Sequence, residues 1–236
     1  MPKQRKKGLR IQVLKRATLS VEFLKTMLHN MSRAVADKID EINKRNYYPV
    51  PDKDTGSNLA KTIGEAAEIV GSKEYPSARE LIEDLTEEIL LDSARGNIGL
   101  IVTAWLSAFL VRLSEGEELN SKTLAHAFKE GEKAAYEVLD NPRKGTVLDP
   151  ITSSSKAALA ASENQADLRE LVKAVRAKAQ TALEKTTEEL EALLKGDFSP
   201  EEIQRLKKEK VVDAGAFGFV IMLGRFLDLL QSAARE

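Results

Sequence analysis

Leu24, Met27, Leu28, Met31, Val35, Ile39 and Ile42 recur three and four residues apart, the period of one face of an α-helix. Ser20 stands just ahead of them as an N-cap, so the pattern predicts a first helix from Ser20 to about Asn43. A second stripe of Leu59, Ile63, Ala66, Ala67 and Val70 predicts a helix over 55–70 that Gly71 can end. A third covers about 77–92, with Leu81, Ile82, Leu85, Ile89 and Leu90 on its apolar side. Residues 96–113 are almost without charge before Arg112, which places this helix at the centre with neighbours on most sides. Further helices are predicted over 121–139, 148–162, 166–194 and from Asp213 to the C-terminus, with a short turn at 200–208. No stretch alternates apolar and polar residues over a strand's length, and the fold class predicted is all-α.

The chain has 236 residues, 42% hydrophobic and 31% charged, as in a soluble globular protein, and an all-helical core of this size can be one unit. We expect a flexible basic segment over 1–16 and a single helical domain over 17–236. The formal net charge of -1 gives no global reason to seek nucleic acid. With no cysteine, disulfides, thiolate nucleophiles and Cys-ligated zinc are excluded, which suits a reducing compartment; the cytoplasm is expected. The start, MPKQRKKGLR, is basic, but IQVLKRATLSVEF after it has neither the apolar run nor the cleavage site of a secretory signal. The longest apolar run, within IGLIVTAWLSAFLV, is shorter than the roughly 20 residues a membrane span needs, so it reads as a buried helix and no transmembrane segment is expected.

The loops carry the unusual residues. In NYYPVPDKDTGSN, residues 46–58, Asp52 and Asp54 stand two apart, so in an extended loop their carboxylates can lean the same way. Two such charges repel unless a cation neutralises them, and Mg²⁺ does so while completing its shell with water and phosphate. Asn46 can add an amide oxygen. Thr55, Gly56, Ser57 and Asn58 then open a helix whose N–H groups and positive dipole end suit an anion. The same residues also make an ordinary turn and N-cap, and that reading stays open. SARGNIG, residues 93–99, repeats the arrangement before the most apolar helix, with Arg95 able to pair with a phosphate, although taken alone the segment also reads as an ordinary helix junction. VVDAGAFGF, residues 211–219, supplies a third glycine-bearing helix start with Asp213 as cap. The charge-rich stretch over 184–210 reads as a solvated helical hairpin. His29 and His126 read as surface or packing residues, and Trp105, Met27 and Met31 as core.

These motifs carry a resemblance. NYYPVPDKDTGSN resembles the N-x-x-P-V-P-D-G-D-T-G-T-N motif of the kinase domain of bacterial fatty-acid kinase, a relative of the nucleotide-binding subunit of dihydroxyacetone kinase. SARGNIG is similar to the family's G-A-R-G-N-S-G, VVDAGAFGF to its V-V-D-A-G-G-x-G, and GTVLDP, residues 145–150, to its G-T-I-L or T-M-L-D stretch, in the same order along nearly the whole chain. The resemblance implies an antiparallel barrel of about eight helices with the nucleotide site at one end, holding ATP or ADP with Mg²⁺, two ions in all. Asn46, Asp52 and Asp54 would be the metal ligands. Thr55, Gly56, Ser57 and Asn58, with Arg95, Gly96, Asn97 and Gly99, would surround the phosphates. Thr146 and Leu148 would border the nucleotide, and Asp213 and Gly215 would close the site; no catalytic residue beyond the metal ligands is implied. In the family, another domain or subunit holds the acceptor, so a lipid-binding or ketone-binding partner protein is expected here. Three departures stand out: Lys53 replaces the glycine between the aspartates, Ile98 a serine, and Ala216 a glycine. Lys53 strains the backbone if that glycine normally has a positive φ, although its ammonium could equally add a phosphate contact, and Ile98 removes a hydroxyl donor. The leading expectation is a Mg-ATP-dependent kinase domain phosphorylating a small hydroxy or keto compound or a fatty acyl acceptor. The alternatives are a catalytically weak or inactive nucleotide-binding regulatory module and a helical scaffold.

Overall fold

The computed structural model describes residues 19–116 and 118–233, so the basic segment over 1–16 lies outside the described residues. The chain is all-α. Its helices are α1 (Val21–Ala36), α2 (Ile39–Asn43), α3 (Thr55–Ser72), α4 (Ala78–Asp84), α5 (Leu90–Ser93), α6 (Gly96–Ser114), α7 (Ser121–Glu137), α8 (Leu148–Glu163), α9 (Leu168–Lys185), α10 (Leu190–Leu194), α11 (Pro200–Lys208) and α12 (Ala214–Ala233). Among the described residues the nearest approach to a strand is one isolated bridge between Lys195 and Phe198.

Local chemistry starts these helices where the pattern predicts. Ser20 accepts from Phe23 N at 3.1 Å, Ser77 from Glu80 N at 3.2 Å, and Asn120 forms a reciprocal capping box with Thr123. Three predicted helices are interrupted. The first breaks at Asp37–Lys38 into α1 and α2, which brings α2 across the start of α3; Gly56 allows this, since a Cβ there would lie 2.6 Å from Ile39 O. The third contains a π turn over Leu85–Ile89 between α4 and α5. The helix predicted over 166–194 passes through a 3-10 turn at Thr186–Glu189 between α9 and α10, and the predicted turn at 200–208 is the helix α11.

The long helices pack in an order that returns to its start: α1 on α3, α3 on α5 and α6, α6 on α7, α7 on α8, α8 on α9, α9 on α12 and α12 on α1. Trp105 and Phe109 of α6, Phe128 of α7, and Phe219 and Phe226 of α12 fill the space between them. The Trp105 ring stacks on Phe109 at 5.0 Å and meets Phe219 edge-on at 5.0 Å. Trp105, Met27 and Met31 are core, whereas His29 and His126 are exposed. By length and composition α6 and α12 could each cross a membrane, but here they form the core, and half or more of each apolar window is buried in protein.

The charge-rich stretch is more than a solvated hairpin. Leu190, Leu194, Ile203 and Leu206 make a second, small hydrophobic cluster against Tyr47, Tyr48, Phe198 and Val211. It seats the loop before α3, with Tyr47 edge-on to Phe198 at 6.0 Å.

Candidate functional site

At one end of the ring a cleft of about 400 Å³ opens where the starts of α3, α6, α8 and α12 come together. Asn46, Asp52, Asp54, Thr55 and Asn58 line it from the first motif, and Gly96 and Asn97 from the second. Thr146, Asp213 and Gly215 line it from the later loops. Gly56, Ser57, Arg95, Gly99 and Leu148, expected around a nucleotide, are not part of the lining. Gly56 is buried under α2, Ser57 Oγ accepts from Asn43 Nδ2 at 3.0 Å, and Gly99 backs onto Thr62. Leu148 is in the core. Arg95 is held by Glu65, 2.8 Å from its Nη2, and by the carbonyls of Asp92 and Ala94.

Asn46 is 2% exposed and spends its amide inside the loop. Its Oδ1 accepts from Thr55 Oγ1 at 2.6 Å, Thr55 N at 3.1 Å and Asp54 N at 3.2 Å, while its Nδ2 donates to Val50 O at 2.8 Å. Asn43 Oδ1 accepts from Gly56 N and Ser57 N at 2.7 and 3.2 Å. The two asparagines therefore take up the N–H groups at the start of α3 that an anion would use, and they fix the loop that carries the aspartates. An Asn46 oxygen with three donors already on it organises this site in the structure, and it could meet a metal only by giving up those bonds.

Asp52 and Asp54 are exposed and form no ion pair with a described residue. Between them Lys53 has φ +57°, the left-handed region that glycine occupies freely and a lysine only at roughly 1–2 kcal/mol. The loop thus keeps a glycine-like backbone despite the substitution. The start of α6 differs from that of α3, because among the described residues no side chain caps it, and Gly96, Asn97 and Ile98 of its first turn line the cleft. Ile98, 7% exposed, joins Ile101, Leu139 and Val147 as the apolar wall.

Asp213 ties three segments together. Its Oδ2 accepts from Ala216 N at 2.7 Å and caps α12, its own N donates to Thr186 Oγ1 at 3.0 Å, and the N–H groups of Gly215 and Val147 also support the carboxylate. Although part of the residue reaches the cleft, protein surrounds the carboxylate, and that burial, with some help from the Asp149 charge, outweighs the three N–H groups and pushes its pKa up to about 7. Burial likewise raises Asp149, against the N–H of Gly145 and with Glu189 adding repulsion. A raised carboxylate binds its proton more tightly folded than unfolded, so this group's contribution is present near pH 4 and is lost as pH rises through about 7. Replacing Asp213 by Asn keeps an acceptor for Ala216 N and removes the titration. Between pH 4 and 7 the stability of the wild type relative to Asp213→Asn should fall with a slope approaching about 1.4 kcal/mol per pH unit, measured by urea unfolding at each pH. Equal pH profiles would show that Asp213 is ionised throughout.

Tyr48, Pro49, Val50, Leu139, Asn141 and Arg143 also line the cleft and were not singled out as site residues by the sequence. For the first three the signal was present, since they lie inside the motif. Asn141 and Arg143 sit in NPRKGTVLDP, where the glycine and threonine drew the attention.

The geometry defines an all-helical scaffold with a cleft that sets acidic loops and helix starts against an apolar wall. Comparisons with known proteins agree, and residues 49–228 match the DAK2 domain, so the chain belongs to the DAK2 domain family. Proteins of Staphylococcus aureus strains USA300 and NCTC 8325, themselves uncharacterised, are 30% identical over 210 residues, 89% of this chain. The chain spans 36% of the length of these relatives. Among solved structures, the fold is similar to dihydroxyacetone kinase from C. freundii in complex with AMP-PNP and Mg²⁺, with a TM-score of 0.58, 16% identity, and coverage of 97% of this chain and 37% of that one. The native form of the same enzyme gives a TM-score of 0.59 at 17% identity, covering 97% of this chain and 38% of that one.

Proposed function

We propose that the chain is a Mg-ATP-dependent phosphotransferase module that transfers a phosphoryl group to a small hydroxy or keto compound or a fatty acyl acceptor presented by a partner protein. The observation that carries this reading is the pair of unpaired carboxylates, Asp52 and Asp54, lining the same cleft as the uncapped start of α6. Family membership and the fold shared with a kinase crystallised with AMP-PNP and Mg²⁺ support it.

Among the described residues no three His, Cys, Asp or Glu side chains gather as a closed metal cage. Two carboxylates on an open cleft fit a hard cation that keeps waters and shares phosphate oxygens, as Mg²⁺ does. Asp52 and Asp54 would hold it, whether as one ion or two. The first turn of α6 and Asn58 would meet the phosphates, and Thr146, Asp213 and Gly215 would border the nucleotide. The ion supplies neutralisation of the charge on the transferring phosphoryl group. The protein's own part is positioning: Asn43 and Asn46 hold the carboxylate loop, and Asp213 holds the start of α12 to Val147. An ATP-using module of this kind belongs in the cytoplasm.

Calorimetric titration of Mg-ATP into the folded chain tests this reading, and saturable binding abolished by EDTA is expected. Absence of binding would overturn it. A second reading, a nucleotide-binding regulatory module with weak or no turnover, is favoured by Ile98, which puts an apolar side chain in the cleft wall where the family has a hydroxyl. Binding without ATP turnover in the presence of lipid-loaded or ketone-loaded partner proteins would select it.

A further inference from the structure

Of the two arginines flanking the cleft loops, Arg95 is engaged by Glu65 and by two carbonyls outside the lining. Arg143 is the reverse case. It lines the cleft, it is exposed, and its guanidinium makes no hydrogen bond or ion pair with any described residue. Its isolation is not for want of acids in the cleft, because Asp52, Asp54 and Asp213 share its lining. Nor does a loose backbone account for it. Arg143 O accepts from Thr146 Oγ1 at 2.7 Å, Gly145 N donates to Asp149 Oδ2 at 2.9 Å, and Asp149 N donates to Thr146 O at 3.0 Å. Gly145 has φ +80°, and a Cβ there would collide with Glu189 Cβ, so the loop is pressed against the 3-10 turn.

An arginine on a pinned loop in the lining of a cleft of about 400 Å³, with its guanidinium unengaged by any described residue, is placed to meet an anion brought in from outside. The uncapped first turn of α6 in the same lining asks for the same thing. We propose that Arg143 is the side chain that clamps the polyphosphate of the bound nucleotide, opposite the carboxylates that face its metal. The inference rests on the nucleotide-binding reading above and adds to it the cation that Arg95 does not supply.

The test compares wild type, Arg143→Ala, Arg143→Lys and, as a charge control, Arg79→Ala, whose side chain is exposed on α4. Mg-ATP and Mg-tripolyphosphate are titrated into each by calorimetry, and Mn²⁺ alone is followed by electron paramagnetic resonance. Loss of a hydrogen-bonded charged contact predicts about 10- to 100-fold weaker binding of both polyphosphates to Arg143→Ala, with partial recovery in Arg143→Lys. Thermal unfolding without ligand and Mn²⁺ binding are expected to be unchanged, and Arg79→Ala to match wild type. Wild-type binding that Arg143→Ala leaves intact, or a loss confined to Mg-ATP and absent for tripolyphosphate, overturns the assignment while the nucleotide reading stands. No polyphosphate binding by wild type overturns both.

Discussion

Replacing Asp52 and Asp54 together by alanine is expected to weaken Mg-ATP binding by about 100-fold or more and to leave the fold intact. Two charged contacts at about 1.5–3 kcal/mol each set that scale, with each 1.4 kcal/mol a factor of ten. The fold should survive because both side chains are exposed and unpaired, and the loop is held instead by Asn43 and Asn46. Removing two neighbouring like charges is expected to change stability without ligand by no more than about 0.5 kcal/mol. Calorimetry measures the first effect and thermal unfolding the second. Unchanged affinity would remove the metal from this loop, whereas a collapse in stability would make the aspartates structural.

Trp105→Ala is expected to be the most destabilising single change discussed here, at about 3–5 kcal/mol, or a fall in Tm of roughly 10–15 °C. Trp105 is 0% exposed and touches Phe109, Phe128 and Phe219, so its removal opens a cavity between α6, α7 and α12 that these rings cannot all close. With a total stability of about 5–15 kcal/mol, such a loss would bring the chain near unfolding. Trp105→Phe should cost much less. The indole Nε1 has no hydrogen-bond partner among the described residues, so a phenyl ring forfeits no bond there while keeping most of the packing. Denaturant unfolding of the two variants separates the cases, and equal losses would mean that the indole itself, rather than aromatic volume, holds this centre.

Where local signals dominate, the sequence read close to the structure. Ser20 caps the helix it was expected to cap, and Ser77 and Asn120, not singled out beforehand, cap helices that start within a residue of the expected place, because capping and a 3.6-residue stripe depend on a few neighbours in the chain. The interruptions at Asp37–Lys38, Leu85–Ile89 and Thr186–Glu189 were illegible, since apolar residues keep nearly the same spacing across them. Those breaks answer to what each segment packs against. The charge-rich stretch misled for a related reason: four leucines and isoleucines among many charges look like one side of a solvated hairpin until Tyr47 and Tyr48, far away in sequence, arrive to cover them.

The site divides along the same line. Its acidic loop and glycine-bearing helix starts could be picked out by residue type, and the all-α class followed from periodicity alone. Which polar atoms remain available at the cleft could not. Asn43 and Asn46 consume the N–H groups at the start of α3, Glu65 takes Arg95, and Arg143 is left without a partner among the described residues, each decided by residues from separate elements. Helix starts and the helical class are written in short-range sterics and hydrophobic period, so the chain declares them locally, while the breaks within helices wait on packing. A hydrogen bond or ion pair depends on distance and direction to atoms that only packing brings near, and so the tertiary structure alone decides which charges stand free to meet a ligand.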